Sequence, residues 1–196
     1  MWQKVAAAYS ANGRFYHTLT HIQHMFTIAD QLQAVTTDFT AVQLAIWFHD
    51  AIYQLNAIDN EILSADLFMT LSESVIQPAI RQQVYQHIIA TLHNGSQMLD
   101  HDSRYMVDID LSSFGLPWEK FLQNSRHVRE EMRHIPDEEF YPKQYRFQQS
   151  LLKHGRFYQT DYFFRNYEQS ALNNIADYFV RLKKKTGLNI DTEADG

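Results

Sequence analysis

The sequence contains ten histidines, at 17, 21, 24, 49, 87, 93, 101, 127, 134 and 154, together with 23 Asp and Glu and no cysteine. Thiolate zinc sites, iron–sulfur clusters and disulfides are therefore excluded, and any metal must be held by imidazole and carboxylate. Four of these groups stand out because they fall among apolar residues. His21 lines up with Met25, Ile28 and Leu32 on one helical stripe. His49 and Asp50 are adjacent within Leu44-Ala45-Ile46-Trp47-Phe48-His49-Asp50-Ala51-Ile52-Tyr53, a segment apolar on nearly all sides. An isolated buried carboxylate costs several kcal/mol, so Asp50 needs a partner. Asp110 shares a face with Met106, Val107 and Phe114, whereas Asp108, about 200° away, reads as a surface partner of Arg104. One divalent cation would account for His21, His49, Asp50 and Asp110 together. Two imidazoles and two carboxylates suit Mn, Fe, Co, Ni or Zn and leave positions open for a water that could become a nucleophile.

The elements that must position these groups are helices. Apolar residues recur at three- and four-residue spacing near 21–35, 40–53, 60–72, 78–93, 103–114, 117–133, 138–154 and 160–185, and sustained alternation is scarce. With 6 Gly and 4 Pro in 196 residues, a turn-rich β architecture is disfavoured and an all-α fold is expected. Thr20 and Gln23 have the form of a capping box that would start a helix at His21 and leave His17 in the preceding loop. If the helix began earlier, His17 would share a face with His21 and could replace it. At the other end, Arg181 and Lys183 to Lys185 followed by Gly187 read as a helix terminus with a left-handed stop. No linker, repeat or low-complexity tract interrupts the chain, and short polar stretches such as Asn94-Gly95-Ser96 join the segments. The expectation is one helical domain over 1–196, with its core at about 10–180 and a loose tail over 186–196.

Hydrophobic residues at 45% and aromatics at 14% suffice for a core. The net charge of −6, from 17 Lys and Arg against 23 Asp and Glu, provides no basic face for duplex nucleic acid. No apolar run is long enough to span a membrane, and the reading is a soluble cytoplasmic protein. Phe157, Tyr158, Tyr162, Phe163, Phe164 and Tyr167 lack interleaved Lys or Arg and read as core rather than a base-stacking platform. Exposure of that cluster would point to a homodimer.

The order His, His-Asp, Asp on helices resembles the HD-domain superfamily of metal-dependent phosphohydrolases. The stretches Arg14 to His21, Leu44 to Tyr53, Asn60-Glu61-Ile62-Leu63-Ser64-Ala65 and Val107-Asp108-Ile109-Asp110-Leu111 are similar to a group of small bacterial HD phosphohydrolases, over nearly the whole chain. The resemblance implies an all-helical HD-type bundle that holds a divalent ion (Mn, Fe, Co, Ni, Zn or Mg) through His21, His49, Asp50 and Asp110. It implies hydrolysis of a small phosphate ester, such as a nucleotide, with Asp50 and Glu61 as catalytic groups. Glu61 would be the general base, standing over Ser64 and Ala65 as small neighbours that leave room for water. It could equally be a helix-start Glu favoured by the dipole. His93 resembles the extra histidine of two-metal members, or is a helix-terminal histidine facing a dipole. Arg14, and more weakly Lys4, would supply donors to phosphate, with His17 and His93 beside the substrate. Two other classes stay open: a non-catalytic metal-stabilised nucleotide sensor, and a di-iron oxygenase needing His87 and His93 to converge.

Overall fold

Every regular element of the computed structural model is helical, and its described residues are 2–55, 57–93, 98–152 and 155–187. The polar stretch Asn94-Gly95-Ser96, His154 and the residues beyond 187 lie outside them. The chain divides into two compact units, Met1–Leu111 and Ser112–Gly196.

The first unit contains α1 (Trp2–Ala8), α2 (Leu19–Ala29) with a 3-10 turn at Asp30–Leu32, α3 (Phe39–Phe48), α4 (Asn60–Ser72), α5 (Pro78–Ala90) and α6 (His101–Leu111). Helix α3 is its axis, packed by α2, α4, α5 and α6. Its residues Ala41, Val42, Ala45, Ile46 and Phe48 are wholly buried, which is what apolar side chains on every face require. The helix starts where Asp38 Oδ1 accepts from Ala41 N at 3.0 Å, a side-chain N-cap. The Asp102 carboxylate then accepts from Thr37 N and Asp38 N, joining the first turn of α6 to the start of α3.

Several boundaries differ from those read in the sequence, for identifiable reasons. The apolar run through Tyr53 has Ala45, Ile46, Phe48, His49, Asp50 and Ala51 buried, but the helix ends at Phe48 and His49 is its C-cap. Burial extended the pattern past the hydrogen-bonded segment. Helix α2 begins at Leu19 behind Thr18, whose side chain makes no cap bond, so Thr20 lies inside the first turn rather than capping it. Asp108 is fully buried instead of lying on a polar surface, because α6 is buried on almost every side. The short α1 carries no long periodic stripe, only Val5 and Tyr9 four residues apart, both about 1% exposed.

The second unit holds a 3-10 turn at Ser112–Gly115, α7 (Trp118–Glu131), α8 (Asp137–Leu151), α9 (Asp161–Asn166) and α10 (Glu168–Thr186). The segment 160–185 is two helices, broken at Tyr167. At the break the Glu168 carboxylate accepts from Phe157 N and Tyr158 N at 2.8 and 3.0 Å. Phe157, Tyr158 and Phe163 are core, as their clustering suggested, while Phe164 is exposed. Asn174 donates to the carbonyls of Phe114 and Leu116, so α10 holds the 3-10 turn. There a Cβ on Gly115 would meet Tyr167 Cδ1 at 2.8 Å. Helix α10 stops at Gly187, whose φ is 69° and whose N–H donates to Lys183 O, the left-handed stop read from the sequence. Among the described residues no helix is long and apolar enough to cross a membrane.

Candidate metal centre

Three helices of the first unit bring three donor atoms together. His21 Nε2, in the first turn of α2, lies 3.4 Å from His49 Nε2 at the end of α3 and 3.3 Å from Asp110 Oδ1 near the end of α6. His49 Nε2 lies 3.5 Å from Asp110 Oδ1. Both histidines are buried and Asp110 is half-buried, so the group has one partly open side. Two donors about 2.1 Å from a common ion stand about 3.4 Å apart when the angle between them is about 108°, so this triangle has the size a cation requires.

Hydrogen-bonding logic leads to the same requirement. His49 Nδ1 is 3.0 Å from Ile46 O, and a carbonyl only accepts, so Nδ1 carries a proton. A neutral ring then has its lone pair on Nε2, which faces Asp50 Oδ2 at 3.1 Å and Asp110 Oδ1 at 3.5 Å. Lone pair against carboxylates is unfavourable in a buried site unless something positive lies between them. Either a second proton or a metal ion satisfies the arrangement.

The proton affinities of the cluster follow from the same geometry. Burial opposes charge on His49, but Asp50 and Asp110 outweigh it and raise its pKa well above the usual value. Burial dominates at His21 and lowers its pKa, despite Asp110. Burial pushes the Asp110 carboxyl up, yet hydrogen bonds from His21, His49 and His93 bring it well below the ordinary range. Asp50 is likewise lowered, because His49 and His17 overcome its burial. Without metal, the cluster thus holds carboxylates, one imidazolium at His49 and a neutral His21. His24, beside His21, falls to about 4 through burial.

His17 stays outside the triangle. It precedes α2, its Nε2 is 3.8 Å from Asp50 Oδ2, and its ring lies tilted against that of Tyr53, with centroids 4.3 Å apart. His93 follows α5 at a left-handed φ of 51°, uncommon for a non-glycine residue, and its Nε2 reaches Asp110 Oδ2 at 2.9 Å. It therefore orients the carboxylate whose other oxygen completes the triangle, an arrangement typical of groups that support metal ligands. His93 is not helical, so the angular argument pairing it with His87 does not apply. His87 is separated in another way, with Nδ1 2.9 Å from Ser103 Oγ, and its pKa is lowered by burial.

The main chain at His49 and Asp50 is fixed by the segment before α2. Arg14 Nη1 donates to Asp50 O at 2.8 Å and to His17 O at 3.2 Å, and Nη2 donates to Ala51 O at 3.2 Å. The guanidinium also lies over the Tyr9 and Tyr53 rings at 5.1 and 5.3 Å. Arg14, expected to face a phosphate, is directed at backbone carbonyls. Tyr9 Oη donates to Trp47 O at 3.2 Å and accepts from Asp50 N at 3.3 Å, a role the sequence did not reveal. Tyr9→Phe removes both bonds, one of them to the buried Asp50 N–H, and is expected to cost about 1–3 kcal/mol, measured by chemical denaturation. A loss below about 0.5 kcal/mol would show that the bridge carries no weight.

The motif at α4 also resolves into parts. Asn60 pairs with the backbone of Gln54 through both amide atoms at 2.8 and 3.0 Å, and Ser64 Oγ bridges Ile52 N and Ile52 O. These staples hold the chain that leaves Asp50. Ser64 and Ala65 are fully buried, and Ser64 fastens the loop that follows Asp50. Glu61 is half-buried in the first turn of α4; burial raises its pKa, with Asp50 and Asp110 adding to the rise and His93 opposing it. No protein family, curated protein or solved structure matches this chain.

Proposed function

We propose that this chain is a metal-dependent phosphohydrolase of the HD-domain kind, hydrolysing a small phosphate ester. The observation that carries the reading is the buried triangle of His21 Nε2, His49 Nε2 and Asp110 Oδ1. Two nitrogens and a carboxylate form a borderline donor set that suits Mn, Fe, Co, Ni or Zn better than Mg. Asp50, whose Oδ2 lies beside His49 Nε2, is the fourth ligand of the proposal. An ion bound there supplies charge neutralisation for a phosphoryl group and makes a nearby water more acidic.

The surrounding residues have separate tasks. Glu61, with its raised affinity for protons and its proximity to the cluster, takes a proton from the attacking water. The water oxygen bonds to phosphorus, the bond from phosphorus to the ester oxygen breaks, and the leaving alkoxide oxygen takes up the proton that Glu61 received, giving the free alcohol. His93 fixes Asp110, while Arg14 and Tyr9 fix the backbone that carries His49 and Asp50.

Elemental analysis of the purified protein, with a turnover screen of mononucleotides and small phosphate esters after loading with Mn, Co, Ni or Fe, tests the reading. Stoichiometric metal with turnover is expected; absence of both overturns it, and metal without turnover of any ester points to a sensor. Glu61→Gln is expected to lower kcat about 100-fold or more with metal content unchanged. An unaltered rate would remove Glu61 from the mechanism.

A further inference from the structure

The three donor atoms of the candidate centre lie at the far ends of their helices from a second polar cluster, in which three consecutive residues of the first turn of α6 each bind a different segment. His101 Nε2 donates to Val35 O at 2.8 Å, in the chain that leads from α2 to α3. The Asp102 carboxylate, 5% exposed, accepts from Thr37 N at 2.9 and 3.1 Å and from Asp38 N at 2.8 Å, just ahead of α3. Ser103 Oγ lies 2.9 Å from Nδ1 of His87, in the last turn of α5. Ser103 N and the Ser103 hydroxyl both donate to Asp100, so the hydroxyl oxygen accepts from His87 Nδ1. The buried His87 Nε2 has no hydrogen-bond partner among the described residues, which leaves Ser103 to orient the ring.

Helix α2 carries His21, α3 ends at His49, α6 carries Asp110, and the chain after α5 carries His93, which bonds Asp110. The first turn of α6 therefore ties together the segments that supply the centre. The span is about 12 Å from Asp102 to Asp110 along α6 and about 16 Å from Asp38 to His49 along α3. Over arms of that length, a swing of about 5° moves the far end by about 1 Å. Donors 3.3 to 3.5 Å apart cannot keep their distances to one ion after such a shift. Apolar contacts between the helices are non-directional, whereas bonds from a carboxylate to two backbone N–H groups fix both sliding and rotation.

We infer that Asp102 is a positioning residue of the metal centre: by pinning the start of α3 to the start of α6, it sets the separation of His49 and Asp110 at their other ends. This rests on the ion-binding part of the reading above. Ser103 plays the same part toward α5, and through it toward the chain that brings His93 to Asp110.

Calorimetric titration of the metal-free full chain with Mn, beside thermal melts in EDTA, tests the inference. Asp102→Asn turns one acceptor oxygen into a donor that faces a backbone N–H, and is expected to raise the Kd for Mn about tenfold or more, as misplaced metal ligands do. Ser103→Ala, which cuts only the tie to His87, should raise it several-fold. Arg81→Ala is the control. It removes bonds of the same kind, from α5 to Ser72 Oγ and Met69 O of α4, and should lower Tm while Kd stays parental, because the affinity of the folded protein does not depend on its global stability. A folded Asp102→Asn protein with parental Kd, or an equal loss of affinity in Arg81→Ala, overturns the inference and leaves the hydrolase reading intact. Should Asp102→Asn not fold, a parental Kd in Ser103→Ala overturns it equally. The expected changes in Kd without ester turnover by the parent overturn the hydrolase reading alone, and a parent chain that binds no ion overturns both.

Discussion

His49→Ala is expected to leave the protein without bound metal and to lower phosphate-ester turnover by about a thousandfold or more, because several kcal/mol of charge stabilisation disappear with the ion. His49 has this weight because it touches every other member of the cluster: His21 at 3.4 Å, Asp50 at 3.1 Å and Asp110 at 3.5 Å. Its removal also leaves two buried carboxylates without the imidazolium between them, so the substitution destabilises the metal-free fold as well. His49→Gln keeps most of the volume and a polar tip, and separates the two effects. Both variants are compared with the parent by elemental analysis, circular dichroism and turnover. A folded His49→Gln protein with full metal content and parental kcat would show that the triangle is only a hydrogen-bonded cluster. His17→Ala is the internal control. Its Nε2 stands 3.8 Å from the Asp50 carboxylate and outside the triangle, so metal content should persist.

The difference between His17 and His21 shows how far spacing alone could carry the reading. His21 belongs to an inward stripe with Met25 and Ile28, and burial of that stripe places it in the centre whatever the cap residue is. The choice of His21 was therefore legible even though Thr18, not Thr20, precedes the helix. Asp110 was legible for the same reason, but the apparent polar face of Asp108 was not, because a helix buried on most sides has no solvent face to which polarity can refer. The His49-Asp50 pair was visible as a polar interruption of an apolar run. Its position at a helix end was hidden, since burial and helicity produce the same apolar signal there. Arg14 and Tyr9 were beyond reach for a different reason: their partners are backbone atoms 36 to 41 residues away, and backbone groups leave no residue-type signature. His93 combined both difficulties, because its left-handed φ follows from tertiary structure and only the fold brings it to Asp110.

Thermal stability measured against pH should fall across the neutral range without metal and stay nearly level with it. In the metal-free protein His49 has a pKa raised well above its unfolded value of about 6.5. Its contribution is fully present below pH 6.5 and is lost as pH rises toward the folded value, with a slope of up to about 1.4 kcal/mol per pH unit. His21 and His24 have lowered values, so their effect has the opposite sign and lies below pH 6.5, where stability rises with pH. Asp50 and Asp110, also lowered, contribute stability above the unfolded carboxylate value near 3.8 and lose it only in stronger acid. Between pH 6.5 and 8.5 His49 is left to set the sign, and the Tm of the first unit in EDTA should fall by about 4 °C or more per pH unit. Metal binding requires the proton on His49 Nε2 to leave, so the stabilisation by added Mn should grow over the same range. At 100 times its dissociation constant the ion adds about 2.7 kcal/mol, enough to separate the two curves clearly. Melts at pH 6.5, 7.5 and 8.5, with EDTA and with Mn, measure both slopes, and His49→Gln should flatten the decline seen in EDTA. A metal-free Tm that stays level or climbs from pH 6.5 to 8.5 would mean that no imidazolium is held between Asp50 and Asp110, which removes the electrostatic reason for a cation at that point.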